Sequence, residues 1–106
     1  MKSIPSVTIG IPAYNEEANI GLILTDVLNQ KKNNFYLKEI IVASDGSTDK
    51  TVERSNAFQK NKAIVLDNKK RAGVAVRINQ IFNRADSDVL VLLNADIKIE
   101  GNDFIS

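Results

Sequence analysis

The sequence predicts an α/β domain built on a mostly parallel sheet with helices on both faces. Three observations lead there. Four short runs rich in Val, Ile and Leu recur along the chain without strict polar alternation, as strands covered on both faces do. Segments of helical periodicity lie between them. A polar or turn-rich cluster follows each run, so each strand ends where the chain must turn over the sheet edge.

The first run is Val7–Ile11, "VTIGI". Residues Glu16–Gln30 come next, with Ile20, Ile23, Leu24, Val27 and Leu28 on one stripe, which predicts a helix. Asn15 is placed to cap it, and Glu16 and Glu17 suit the positive end of its dipole. The second run is Glu39–Ala43, "EIIVA". A weaker helix is predicted near Asp49–Gln59, carrying Val52, Ala57 and Phe58, with Ser47, Thr48 or Asp49 as cap. The third run is Ala63–Leu66. The helix after it spans Ala72–Arg84, with Val74, Ile78, Ile81 and Phe82 at helical spacing. The fourth run, Val89–Leu93, ends in Asn94-Ala95-Asp96. Gly101–Ser106, "GNDFIS", reads as the start of a further helix with Asn102 or Asp103 as cap. Such alternation implies βαβ units with right-handed crossovers.

A chain of 106 residues suits a single domain, residues 1–106. Apolar residues make up 43% and charged residues 25%, an ordinary globular balance. The formal net charge of +1 gives no bulk attraction to nucleic acid or anionic lipid. With no Cys and no His, thiolate metal sites, Cys nucleophiles and His bases are all excluded. Any metal must be held by oxygen, which favours Mg²⁺ or Mn²⁺. No signal-peptide or membrane-spanning run is present in the sequence, so a cytoplasmic location is expected, with membrane association left open for a full-length parent.

In open parallel sheets ligands bind beyond the carboxyl ends of the strands. That edge gathers Tyr14, Glu16, Asp45, Arg71, Asn94 and Asp96. An aromatic ring, several oxygen ligands and a cation suit a base, a ribose and a metal-bound diphosphate. Simpler readings also exist. Asn15-Glu16-Glu17 needs only capping, Asp45-Gly46-Ser47 is good turn chemistry, Arg71 fits a solvated Lys-Lys-Arg run, and Asp96 would suit the close of a strand. The coincidence of all of these on one edge favours a binding site.

The motifs resemble those of the family 2 glycosyltransferases, which have the Rossmann-like GT-A fold. "IPAYNEE", "IIVASDGSTDKT", "RAGVAVRIN" and "VLLNAD" look like that family's first-strand, acidic-pair, Arg-x-Gly and Asp-x-Asp segments, in order, from about Val7 to Asp96. The resemblance implies that Pro12, Ala13 and Tyr14 line a nucleotide pocket with Glu16 beside it. Asp45 would accept a hydrogen bond from the donor's base, and Arg71 would lie near the diphosphate. Asn94 would bond a ribose hydroxyl, and Asp96 would hold a divalent Mg²⁺ or Mn²⁺. Ser44 and Asn94 stand where the family has acids, Val74 where it often has Lys, and Arg77 where it has a small residue.

The implied function is the donor-binding half of a glycosyltransferase, truncated after the fourth strand. The intact enzyme would transfer a sugar from a UDP- or GDP-type nucleotide-sugar to the hydroxyl of a glycan, lipid or small-molecule acceptor. No residue reads as the base for an acceptor hydroxyl, so no catalytic residue is assigned. A truncated core would also expose apolar surface and invite association. The alternative is a non-catalytic nucleotide-binding module derived from such an enzyme. A dinucleotide-binding oxidoreductase is disfavoured, because Pro12-Ala13-Tyr14 stands where a Gly-rich turn is needed.

Overall fold

The structure, a computed structural model, describes residues 4–30 and 34–96. Its elements run β1 (Ser6–Ala13), α1 (Ile20–Leu28), β2 (Tyr36–Asp45), α2 (Thr51–Asn56), a 3₁₀ turn (Gln59–Asn61), β3 (Ala63–Asn68), α3 (Val74–Arg84) and β4 (Val89–Leu92). The strands form one parallel sheet in the order β3-β2-β1-β4. The order reverses at β1, where the chain steps from one side of the sheet to the other. Its carboxyl end is therefore the ligand-binding position of this topology.

β1 and β2 are central and buried. Their alternate side chains feed two separate cores, because successive strand residues point to opposite faces. Val7, Ile9 and Ile11 of β1 and Ile40 and Val42 of β2 pack with Ile20, Ile23, Leu24 and Val27 of α1. Ile41 and Ala43 pack with Ile81 of α3 on the other face. This two-sided packing is why the central runs carry no polar alternation.

The outer strands differ from the reading of fully covered runs. Only Ala63 of β3 is buried, and Val89 and Leu92 of β4 are exposed. Both are edge strands with one neighbour each, which is a property of strand order and not of local composition.

The helices also start later than their periodicity suggests. Asn15 does not cap α1. It has a left-handed φ of 50°, and Glu16–Asn19 form a separate turn in which Glu16 carbonyl oxygen accepts from Asn19 and Ile20 N–H. α2 begins at Thr51, so Ser47 and Thr48 are not its caps. Asp49 does that work, accepting from the Thr51 N–H at 2.9 Å. α3 begins at Val74, and its buried residues are Arg77 and Ile81, whereas Val74 and Phe82 are exposed. The helix expected from Gly101–Ser106 lies outside the described residues. Among the described residues no helix is long and apolar enough to cross a membrane.

Gly10 sets how closely α3 approaches the sheet. A Cβ there would lie 2.6 Å from Ile81 Cγ2 and 3.0 Å from Leu92 Cδ2. Ile81 is β-branched and fully buried, so it has little room to yield. Gly10→Ala is therefore expected to lower stability by about 1–3 kcal/mol through overpacking. Urea unfolding checks this: the midpoint should fall at unchanged slope, and an unchanged midpoint would mean that α3 is not tightly seated.

Candidate functional site

The β1–α1 and β2–α2 loops are tied together before either helix begins. Asn15 Oδ1 accepts from Thr48 N–H at 2.8 Å, and Asn15 N–H donates to Ser47 Oγ at 3.1 Å. Glu16 N–H donates to Thr51 Oγ1 at 2.7 Å, and Glu17 N–H donates to Asp49 Oδ2 at 3.2 Å. These cross-loop bonds explain why Asn15–Glu17 are not helical. Their backbone groups are spent on the neighbouring loop. Burial pushes the Asp49 carboxyl up, but the Thr51 hydroxyl and N–H and the Glu17 N–H outweigh it, and its pKa is lowered.

Asp45 ends β2 and is 4% exposed. Its Oδ1 accepts from Ala72 N–H at 2.7 Å and from Arg77 Nε at 2.9 Å. Its Oδ2 accepts from Gly73 N–H at 3.2 Å and faces Arg71 Nε at 3.6 Å. The Asp does not close its own turn. Ser44 Oγ does so, accepting from Ser47 N–H at 3.4 Å and donating to Ser47 Oγ at 2.8 Å. The Ala72 N–H holds the Asp45 carboxyl below the usual carboxylate range, against the upward push of burial and with help from Arg77 and Gly73.

Two glycines permit this arrangement. Gly46 has a φ of 70°, and a Cβ on it would lie 2.7 Å from Arg71 N and 2.9 Å from Lys70 C. Both are backbone atoms, so only glycine lets the β3–α3 loop come within reach of Asp45. Gly73, with a φ of 98°, turns the chain into α3 and offers Asp45 its N–H.

Around this carboxylate lies a shallow cavity of about 100 Å³, lined by Pro12, Ala13, Tyr14, Asp45, Arg71, Val74 and Arg77. The Arg71 guanidinium stacks 3.7 Å from the Tyr14 ring centroid. Arg71 thus lies between a ring and a carboxylate while its side chain stays 60% exposed, so the solvated charge that a Lys-Lys-Arg run suggests is also directed toward the cavity. The structure therefore brings together Pro12, Ala13, Tyr14, Asp45 and Arg71 from the sequence-predicted set.

Glu16, Asn94 and Asp96 do not line the cavity. Glu16 Oε1 accepts from Asn19 Nδ2 at 3.1 Å within the turn before α1. Asn94 and Asp96 are exposed just past β4, while Leu93 and Ala95 between and beside them are buried. Neither polar side chain bonds another described residue. No group of three or more acidic side chains converges among the described residues. Such an exposed single carboxylate fits a hard cation whose other ligands are phosphate oxygens and water, and does not fit an all-protein cage.

Arg77, which stands where the family has a small residue, and Val74, expected on the apolar stripe of α3, also line the cavity although neither was expected in the site. The signal for Arg77 was present: it lies four residues before the fully buried Ile81, on the face of α3 that meets the sheet.

The family model described as "Glycosyl transferase family 2" matches residues 8–104. An undecaprenyl-phosphate 4-deoxy-4-formamido-L-arabinose transferase of Proteus mirabilis is 30% identical over 100 residues, 92% of this chain and 31% of that protein. A poly-beta-1,6-N-acetyl-D-glucosamine synthase of Staphylococcus aureus is 31% identical over 98 residues, 92% of this chain and 23% of that protein. A mannosyltransferase of Pyrobaculum calidifontis, solved with GDP-Man and Mn²⁺, superposes with a TM-score of 0.76 at 24% identity, over 89% of this chain and 28% of that one. That last likeness establishes the GT-A type of fold. The chain spans a third or less of the length of these proteins.

The Asp45 pairing has a pH signature. Its carboxyl is more acidic folded than unfolded, so the unfolded chain takes up the proton first. The stabilisation is complete above the unfolded value and is lost as pH falls below about 4. Asp45→Asn should cost about 3–5 kcal/mol near neutral pH, because Arg77 is left buried without its counter-charge. It should also flatten the acid limb. Urea unfolding at a series of pH values checks both, and parallel curves for the two proteins would contradict the pairing.

Proposed function

We infer function from one premise: the chain belongs to glycosyl transferase family 2. We propose that it binds a nucleotide-sugar donor of UDP or GDP type in the cavity at the carboxyl ends of β1 and β2, as the donor-binding part of a longer sugar-transferring enzyme. The observation that carries this reading is the convergence of Tyr14, Asp45 and Arg71 on one cavity, at the edge where open parallel sheets bind ligands.

Each residue has a physical role in that reading. Pro12, Ala13 and Tyr14 offer an apolar and aromatic wall to the base, and Asp45 offers an acceptor oxygen. Arg71, already held between Tyr14 and Asp45, faces the diphosphate. Asn94 bonds a ribose hydroxyl and Glu16 stands beside the pocket. Asp96 is the carboxylate for Mg²⁺ or Mn²⁺, which when bound would stabilise charge growing on the departing diphosphate. The acceptor hydroxyl, of a glycan, lipid or small molecule, and the group that deprotonates it belong to the remainder of such an enzyme.

A second reading is a nucleotide-binding module without transfer. Ser44 favours it, because the position of a family acid is taken by a buried hydroxyl used up inside its own turn. Continuation of the reading frame past Ser106 into an acceptor-binding part would support the enzyme, and a stop codon would support the module.

Calorimetric titration of the folded chain with UDP and GDP, with and without Mn²⁺, tests the donor reading. At least one nucleotide is expected to bind, and Mn²⁺ to tighten it by about tenfold, or ~1.4 kcal/mol. Asp96→Ala should remove the Mn²⁺ effect and leave metal-free binding intact. Tyr14→Ala should weaken binding with or without metal by about 1–3 kcal/mol if the ring meets the base. A folded chain that binds neither nucleotide would sink the assignment.

A further inference from the structure

Arg77 is 7% exposed, and a buried guanidinium on a surface helix needs a specific reason. Its Nε donates to Asp45 Oδ1 at 2.9 Å, and its Nη2 donates to the Lys70 carbonyl at 2.6 Å. One side chain thus fastens the end of β2, the β3–α3 loop and α3 to each other. The planar fork makes this possible, since a lysine cannot place two donors in fixed directions. Arg77 also forms part of the cavity wall.

Two consequences follow for any ligand in that cavity. Oδ1 of Asp45 is filled by Ala72 N–H and Arg77 Nε, which leaves Oδ2, with its longer contacts to Gly73 and Arg71, as the oxygen able to accept from a ligand. The long side chain also takes up space at the wall. The remaining volume, about 100 Å³, is well below the roughly 300–1,000 Å³ that encloses a whole drug-sized ligand. It takes one end of a nucleotide, with the rest lying outside.

We propose that Arg77 is a positioning and specificity residue of the donor site, which clamps Asp45 and narrows the cavity so that it accepts a one-ring base bearing an N–H between two carbonyls, of the uracil or thymine class. This rests on the reading of the cavity as a donor site and deepens it. The N–H donates to Oδ2, and the flanking carbonyls meet the cationic side of the cavity. Cytosine would turn a lone pair toward Oδ2 and is repelled. Guanine has a suitable N–H but brings a second ring against the Arg77 wall.

The test compares UDP, CDP and GDP binding by calorimetry in the full chain and in Arg77→Ala and Arg77→Lys, with thermal unfolding followed by circular dichroism as the check of fold. The wild-type chain is expected to prefer UDP to both CDP and GDP by about tenfold or more. Arg77→Ala should weaken UDP by about tenfold and bring the UDP:GDP ratio toward unity. Arg77→Lys keeps the charge and a better chance of folding, but cannot make both bonds, and it should shift the ratio the same way. If Ala does not fold, Lys decides. A folded variant with the wild-type UDP:GDP ratio, or a wild-type chain that prefers GDP or CDP, overturns the role given to Arg77 while the donor reading stands. A folded wild-type chain that binds no nucleoside diphosphate overturns both.

Discussion

The carboxylate of Asp45 is the point on which the site depends. It leaves the buried carboxyl half of a central strand and is met by two backbone N–H groups and a guanidinium from a segment some thirty residues away. A buried charge without partners would be costly. Here the partners come from the β3–α3 loop and α3, so burying the charge also fixes where that loop sits. Gly46 lets the backbone come close enough, and Gly73 turns it into the helix. The cavity is what remains between this clasp and the end of β1.

A second set of contacts fixes the opposite wall. Asn15, Glu16 and Glu17 are bonded to Thr48, Thr51 and Asp49, so the loop carrying Tyr14 cannot drift away from the β2–α2 loop. Tyr14 in turn stacks on Arg71, which faces Asp45. Each wall is thus held by hydrogen bonds to residues outside the cavity. The cavity-lining groups are held in place by the chain's own bonds, so a ligand entering there would meet a lowered ordering cost. The exposed Asn94 and Asp96 lie apart from this rigid part, past the edge strand β4.

What could be read from the sequence followed from what is local. The Val- and Ile-rich runs located each strand among the described residues, and the pattern of α1 located Ile20, Ile23, Leu24 and Val27 in the core, because periodicity reports burial directly. The start of α1 could not be read, since Asn15 finds its partner on Thr48, a long-range choice that overrides a good local cap. The exposure of β3 and β4 was hidden for the same reason: strand order decides which strands are edges. Asp45 could be nominated from its place after a strand, but not its partners at Ala72, Gly73 and Arg77. Arg77 was visible as a charge on an apolar helix face, and only the fold shows that it points to Asp45 and not to water.

The central claim is that the Asp45-centred cavity holds the base of a nucleotide while the clasp stays closed. A crystal structure of the chain grown with UDP and Mn²⁺ tests it most directly. The ring is expected between the Pro12–Tyr14 wall and Arg77, within hydrogen-bonding distance of Asp45, with the Ala72, Gly73 and Arg77 bonds to that carboxylate intact. A nucleotide bound elsewhere, or an Asp45 pulled free of those three partners, would contradict it.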